Sequence, residues 1–310
     1  MIALLLLPIA LPFLVAPVTR RALDRLAPRT ALWLLTLCTV VTAGCSLAAL
    51  GAFVLTGLLQ LSVFAALGEL VHPLRTASDA FVVPAATLSV GALAVSLWTV
   101  ARAVLRQTRA FRAARTEADR GPAAGDLCVV DSPDPDAYAL PGRPHRIVVT
   151  TAMLRSLDAA EREALFAHER AHNAGGHHYF LAAAELAAHC HPALRPVRHQ
   201  IRLAAERVAD EAAASAVGDR RLTARAIARA ALAGQSAARS ARPGFAAGAT
   251  TGPVPLRVKA LLAGPPGAHR AAAAAAALLL AWAGLSCGAA ATGMIDFHHQ
   301  VEVAQGEEAP

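Results

Sequence analysis

Four long stretches without a single Asp, Glu, Lys or Arg dominate what this chain can fold into: Ile2 to Val18, Ala31 to Leu59, Phe81 to Ala101 and Ala271 to Met294. About 20 uncharged apolar residues in a row are enough to cross a bilayer as a helix. With 55% hydrophobic and only 16% charged residues, the whole chain leans the same way. The first stretch carries Pro8, Pro12 and Pro17 and no charge before its apolar run. The prolines make this stretch the least regular of the four, but the uncharged start, with Arg20 and Arg21 after the apolar run instead of before it, predicts a retained anchor rather than a cleaved leader. The alanine-rich fourth stretch also suits a buried core helix, but Trp282 and the Leu278-Leu279-Leu280 run favour a span.

The net charge of +7 raises the question of nucleic acid. The positions of the arginines answer it. Arg20, Arg21, Arg25 and Arg29 fill the first loop, and Arg102, Arg106, Arg109, Arg112, Arg115 and Arg120 follow the third stretch, while only Arg75 lies between the second and third. Basic loops stay on the cytoplasmic side, so the first loop and residues 102–270 are expected there, with a short tail at 295–310 outside. Anionic lipid headgroups then account for the basicity, and no nucleic-acid partner is expected. The five cysteines form neither a disulfide framework nor a zinc-finger spacing. Cys190, between His189 and His191, has no second cluster to complete a metal site.

Between the third and fourth stretches the texture changes. Residues 102–120 read as a basic juxtamembrane helix ended by Gly121-Pro122. Leu127 to Asp131 and Ile147 to Thr151 read as strands, with Pro133, Pro135 and Pro141-Gly142 marking turns, so a small sheet with a hairpin is expected. Asp158 as N-cap with Glu161 three residues on predicts the start of a helix that runs into His168. Gly175-Gly176 breaks it; a short apolar helix is expected at Tyr179 to Ala188, a further helix at about Val197 to Val217 and a last short one at Pro255 to Leu262, with a mobile Gly-, Ser- and Ala-rich linker at 234–252.

His168-Glu169-Arg170-Ala171-His172 has the spacing HExxH. Histidines four apart share a helix face and offer two imidazole nitrogens to one Zn²⁺, and Glu169 is placed to take a proton from the attacking water. A catalytic zinc needs a third protein ligand, and two candidates stand open. His178 completes HExxHxxGxxH, but no methionine lies suitably downstream for the turn that accompanies that pattern. Glu206, four residues before Asp210 on the next good helix, gives a ligand and a carboxylate able to orient a ligand histidine.

The stretch from Leu127 to Leu262 resembles the integral-membrane gluzincin peptidases, a group with the CAAX prenyl protease, HtpX-like proteases and the beta-lactam sensor-transducers. Asp136 to Gly142 resembles the family's hairpin, Ile147 to Leu154 the strand and turn after it, and Leu157 to Ala167 the lead-in helix. Glu206 to Asp210 matches ExxAD, and Pro255 to Val258 resembles a late Pro…Arg element. The resemblance implies a mainly α membrane protein of about four transmembrane helices with an α+β zinc peptidase domain. It implies His168, His172 and Glu206 as ligands of one Zn²⁺ per chain, Glu169 as base and Asp210 as orienting carboxylate. Arg257 either stabilises an oxyanion or pairs with an acidic neighbour. Protein or peptide substrates follow, as does membrane lipid as surroundings. The arrangement of spans adds a second reading, a receptor whose zinc domain cuts one cytoplasmic repressor or itself, with sensing assigned to the 60–80 loop, the tail or the spans. The sequence departs from the family at Asp136, where Asn is usual, and at Arg170, in a slot commonly apolar.

Overall fold

The computed structural model describes residues 2–61, 63–64, 79–120, 123–235, 253–264 and 270–305. The 60–80 loop falls largely outside them, as does most of the linker expected at 234–252. The chain opens with α1 (Ile2–Ala10) and α2 (Pro12–Arg25), bent by 44° where they meet. Pro12 has no N–H to give the carbonyl of Pro8, four residues back, so the helix ladder is interrupted there. The Ser46 hydroxyl lies 2.7 Å from that carbonyl and 2.8 Å from the Thr42 carbonyl of its own helix, so its one proton is shared between the two acceptors. The donor comes from α3 (Pro28–Leu59), at 32 residues about 48 Å long, well over a bilayer's apolar thickness. Inside α3, Thr36, Thr39, Thr42 and Thr56 turn their hydroxyls back onto carbonyls four residues before them, so none is left without an acceptor.

The third apolar stretch and the basic segment after it form one unbroken helix, α4 (Asp79–Arg120), where a span and a separate juxtamembrane helix were expected. No breaker lies between Ala101 and Gly121, and arginine is a good helix former, so nothing in the backbone ends the helix at the change of polarity.

Strands β1 (Ala123–Ala124), β2 (Leu127–Val130), β3 (Ala137–Leu140) and β4 (Arg146–Thr150) follow. They make one sheet in the order β1-β2-β4-β3, with β2 parallel to β4 and β3 antiparallel to it. The two strands read from the sequence, β2 and β4, run parallel and make no hairpin; the hairpin is formed instead by β4 with β3, an edge strand in the Asp136 to Gly142 stretch that carries the family resemblance. Next come α5 (Thr151–Ser156), α6 (Ala159–Ala174), α7 (His177–Cys190), a short 3₁₀ turn at Pro192–Leu194, and α8 (Arg195–Val217). Asp158 caps α6 as expected: its carboxylate accepts from the N–H of Glu161, and the Glu161 side chain accepts from the N–H of Asp158. A helix that the sequence reading passed over, α9 (Arg220–Gln235), then packs on α6 and α8. Its Arg225 and Arg229 reach the fully buried carboxylate of Glu161. Lastly come α10 (Val254–Ala263) and α11 (Arg270–Gln305). The fourth apolar stretch thus continues as helix through most of the expected tail, to Gln305.

Three of these helices are long and apolar enough to cross a membrane: α3, α4 and α11. The bent pair α1–α2 passes the same test only when taken together. The largest apolar cluster gathers side chains from α2, α3, α7, α8 and α11, among them Leu32 and Leu35 of α3 with Ile201, Ala204 and Ala205 of α8. The helix that carries Glu206 therefore rests directly on one of the membrane-length helices.

Candidate metal centre

Residues far apart in sequence meet where α6, α8 and α10 come together. On α6, His168, Glu169 and His172 all lie on the buried side. On α8 the same is true of Glu206 and Asp210, four residues apart and so one above the other on a single face. The Nε2 atoms of His168 and His172 approach to 3.0 Å, and Glu206 Oε2 sits 3.5 Å from the first and 3.7 Å from the second. A tetrahedral ion held at about 2.0–2.1 Å sets its donors about 3.3 Å apart. The three observed separations bracket that value. Among the described residues this trio is the group able to hold a metal ion.

Charge gives an independent test of fit. Glu169, Glu206 and Asp210 are buried carboxylates, and Arg257 of α10 is a buried guanidinium in the same place. When both ligand histidines are neutral, three carboxylates against one guanidinium would leave a formal −2 out of reach of water, an arrangement that a divalent ion neutralises. Arg257 is fully engaged from below: Nε and Nη2 donate to Asp210 at 2.9 and 2.6 Å, and Nη1 lies 3.2 Å from Glu206 Oε2. Of the two roles left open for Arg257 in the sequence, this geometry is the pairing with acidic neighbours.

The electrostatics follow from these contacts. Burial disfavours a charged His168, but Asp210, whose Oδ1 lies 3.0 Å from Nδ1, and Glu206 outweigh it and push the imidazole up to about 9. Burial pushes His172 down. Burial alone would raise the carboxyls of Glu206 and Asp210, but Arg257 together with His168, and for Glu206 also His172, outweighs it and holds both below their usual range, Glu206 well below.

His178 does not join the group. It lies against the Tyr179 ring, tilted by 41° at 4.0 Å between centroids, while its neighbour His177, to which no sequence pattern pointed, is buried with Nδ1 2.7 Å from Nδ1 of His172. The two adjacent glycines explain the change of partner. Gly176 takes φ +60°, a left-handed turn open to glycine, so a new helix starts at His177 and its first residue folds back over α6. A pattern that counts residues along one continuing helix lands on His178 instead. Burial pushes His177 down to about 3, with His172 adding to the effect.

Two departures noted in the sequence also find their places. Arg170 forms a two-pronged ion pair with Asp126, at 2.7 and 3.0 Å, on the turn between β1 and β2. Asn173 donates to the Arg146 carbonyl, so α6 is tied to the sheet at two points. Asp136 turns its carboxylate to the N–H of Ala137. The run at Cys190 scatters: His189 faces Glu185, and His191 meets the ring of Phe13.

Residues 102–194 match the model of Peptidase family M48. Family M48 implies metallopeptidase activity, and the match agrees with a gluzincin membrane peptidase of the HtpX or CAAX-protease kind. The M48 segment contains the sheet and the HExxH helix and stops short of α8, so Glu206, Asp210 and Arg257 join the site on geometry alone. Comparison with curated proteins gave no match, and neither did comparison with solved structures.

Proposed function

We propose that this chain is an integral-membrane zinc metalloendopeptidase that hydrolyses peptide bonds of protein substrates at the cytoplasmic face. The observation that carries this reading is the convergence of His168, His172 and Glu206 with a buried Glu169, in a chain with three membrane-length helices. The arginines flanking those helices support the cytoplasmic orientation. His168, His172 and Glu206 would hold the ion, one per chain. When bound, Zn²⁺ would polarise the scissile carbonyl and make the attacking water more acidic. Glu169 takes that water's proton and passes it to the leaving amine. Asp210 holds the Nδ1 side of His168 so that Nε2 faces the centre, and Arg257 fixes Asp210 and Glu206 together. The open edge of β3 offers backbone N–H and C=O groups to an extended substrate, a mode of holding that places little demand on side chains.

One observation favours the receptor form of this reading, in which the same chemistry is spent on a single repressor or on the chain itself. The Glu206 helix and α3 share one apolar cluster, so a shift of α3 reaches the site through packed side chains. Both forms are tested by comparing new protein N-termini in cells that make the wild-type chain and cells that make Glu169→Gln. Many cleavages lost in the variant support the broad peptidase, one or two support the receptor, and none sinks both.

A pH effect follows from His168. Without metal it keeps its proton up to about pH 9, whereas a metal-bound imidazole must be neutral. His172 and Glu206 are shifted the other way and have no such proton to lose. Uptake of zinc at pH 7 is therefore expected to release about one proton per ion, with release falling away as pH rises through 9. Calorimetry in buffers of different ionisation enthalpy measures it; no release at pH 7 would contradict the assignment.

A further inference from the structure

The two histidines of the HExxH helix are supported differently. His168 has its Nδ1 facing a carboxylate, Asp210. His172 has no carboxylate at its Nδ1; what stands there, at 2.7 Å, is the Nδ1 of His177. The two rings meet edge to face, at 83° and 4.8 Å between centroids. That arrangement points one nitrogen lone pair along a ring N–H.

The direction of the hydrogen bond is set by what His172 does at its other nitrogen. Nε2 of His172 is turned to Nε2 of His168 and to Glu206, so a ligand role requires the lone pair there and the proton on Nδ1. His172 then donates and His177 accepts. The proton of a neutral His177 must sit on its own Nε2.

A second observation shows that the ring of His177 is seated and not merely nearby. A Cβ added to Gly175 would stand 2.5 Å from Nε2 of His177 and 2.9 Å from its Cδ2. Gly175 has φ −79°, a conformation open to every residue, so backbone freedom does not call for glycine at this position. The space taken by the His177 ring does.

We propose that His177 is the positioning residue for the metal ligand His172, accepting the Nδ1–H of His172 so that its Nε2 lone pair is held toward the ion. This inference rests on the metal-centre reading above and adds to it a residue outside both the HExxH and ExxAD patterns. It also makes the centre asymmetric: one ligand histidine is backed by an anion and the other by a neutral ring.

The test uses the full chain in detergent or lipid nanodiscs, with zinc affinity read by competition with a chromophoric chelator and the ligand field read from the visible spectrum of the Co²⁺ form. His177→Ala is expected to weaken zinc binding by about 10- to 100-fold and to shift the Co²⁺ bands, the usual size of such an outer-contact loss. His177→Asn, whose side-chain oxygen stands near the position of Nδ1, is expected to recover affinity to within about threefold of wild type. Gly175→Ala displaces the ring without removing it and is expected to fall with His177→Ala, whereas His178→Ala is expected to match wild type. Wild-type affinity and spectrum in both His177→Ala and Gly175→Ala overturns the proposal. So does an Asn variant as weak as the Ala variant, since packing alone would then explain the loss. A wild-type chain that takes up no zinc or cobalt overturns the metal-centre reading and this inference with it, an outcome distinct from a wild type that binds and variants that bind equally.

Discussion

Glu169→Gln is expected to leave one metal ion bound per chain while peptide cleavage falls by about 10²- to 10⁴-fold, the range typical for loss of a positioned general base. Glutamine keeps the shape of the side chain and its place on the buried face of α6, and Glu169 is not one of the three converging donors. What it loses is the ability to take a proton. The pair of measurements is metal content by elemental analysis and initial rate on an unstructured protein substrate. Cleavage at the wild-type rate would remove Glu169 from the chemistry, and loss of the metal would show that its charge is needed to hold the ion.

Arg257→Met is expected to have the largest effect on stability. The guanidinium is completely buried and bonded to Asp210, with Glu206 at 3.2 Å, so removing it strands two carboxylates away from water. Breaking a buried pair in this way costs about 3–5 kcal/mol. The loss should be greatest after treatment with a chelator and smaller with zinc present, because a divalent ion beside Glu206 supplies part of the missing positive charge. The pH dependence has a definite sign. Arg257, with the neighbouring histidines, holds both carboxyls below their unfolded values of about 4, so their contribution is present above that pH and is lost as pH falls through the lower folded values. In Arg257→Met most of that acid-side contribution is lost, leaving only the share from His168 and His172, and thermal inactivation of the metal-free variant at neutral pH should move toward that of the metal-free wild type in acid.

Local signals in the sequence held up where the chemistry is itself local. The Asp158–Glu161 cap and the i, i+4 placement of His168 with His172 and of Glu206 with Asp210 each depend on a handful of adjacent residues, whereas the two strands read from the sequence, β2 and β4, proved parallel and not a hairpin. Other features depended on partners that sequence spacing does not reveal. Helix α9 buries Thr223, Ala224, Ala226, Ile227, Ala230 and Ala231, a face of mostly small side chains with little hydrophobic contrast, and its anchoring arginines find a glutamate more than sixty residues earlier. Arg257 was ambiguous because its partners lie on another helix. His177 was missed because a single left-handed glycine shifts the geometry by one residue, which no count along a straight helix registers. A clue was present all the same: two consecutive glycines directly after an HExxH helix announce that residue counting stops there.

The shared apolar cluster of α3, α7, α8 and α11 has a practical consequence for anyone wishing to isolate the part that carries the candidate metal centre. Cutting the chain before Arg102 would strip Leu32 and Leu35 from Ile201, Ala204 and Ala205 and leave the Glu206 helix with a bare oily flank. A fragment of residues 102–264 is therefore expected to aggregate, or to fold with poor zinc retention, where the full chain in lipid does neither; size-exclusion chromatography of the two with added zinc decides it. The membrane-length helices are in this sense part of the interior of the domain that carries the candidate site.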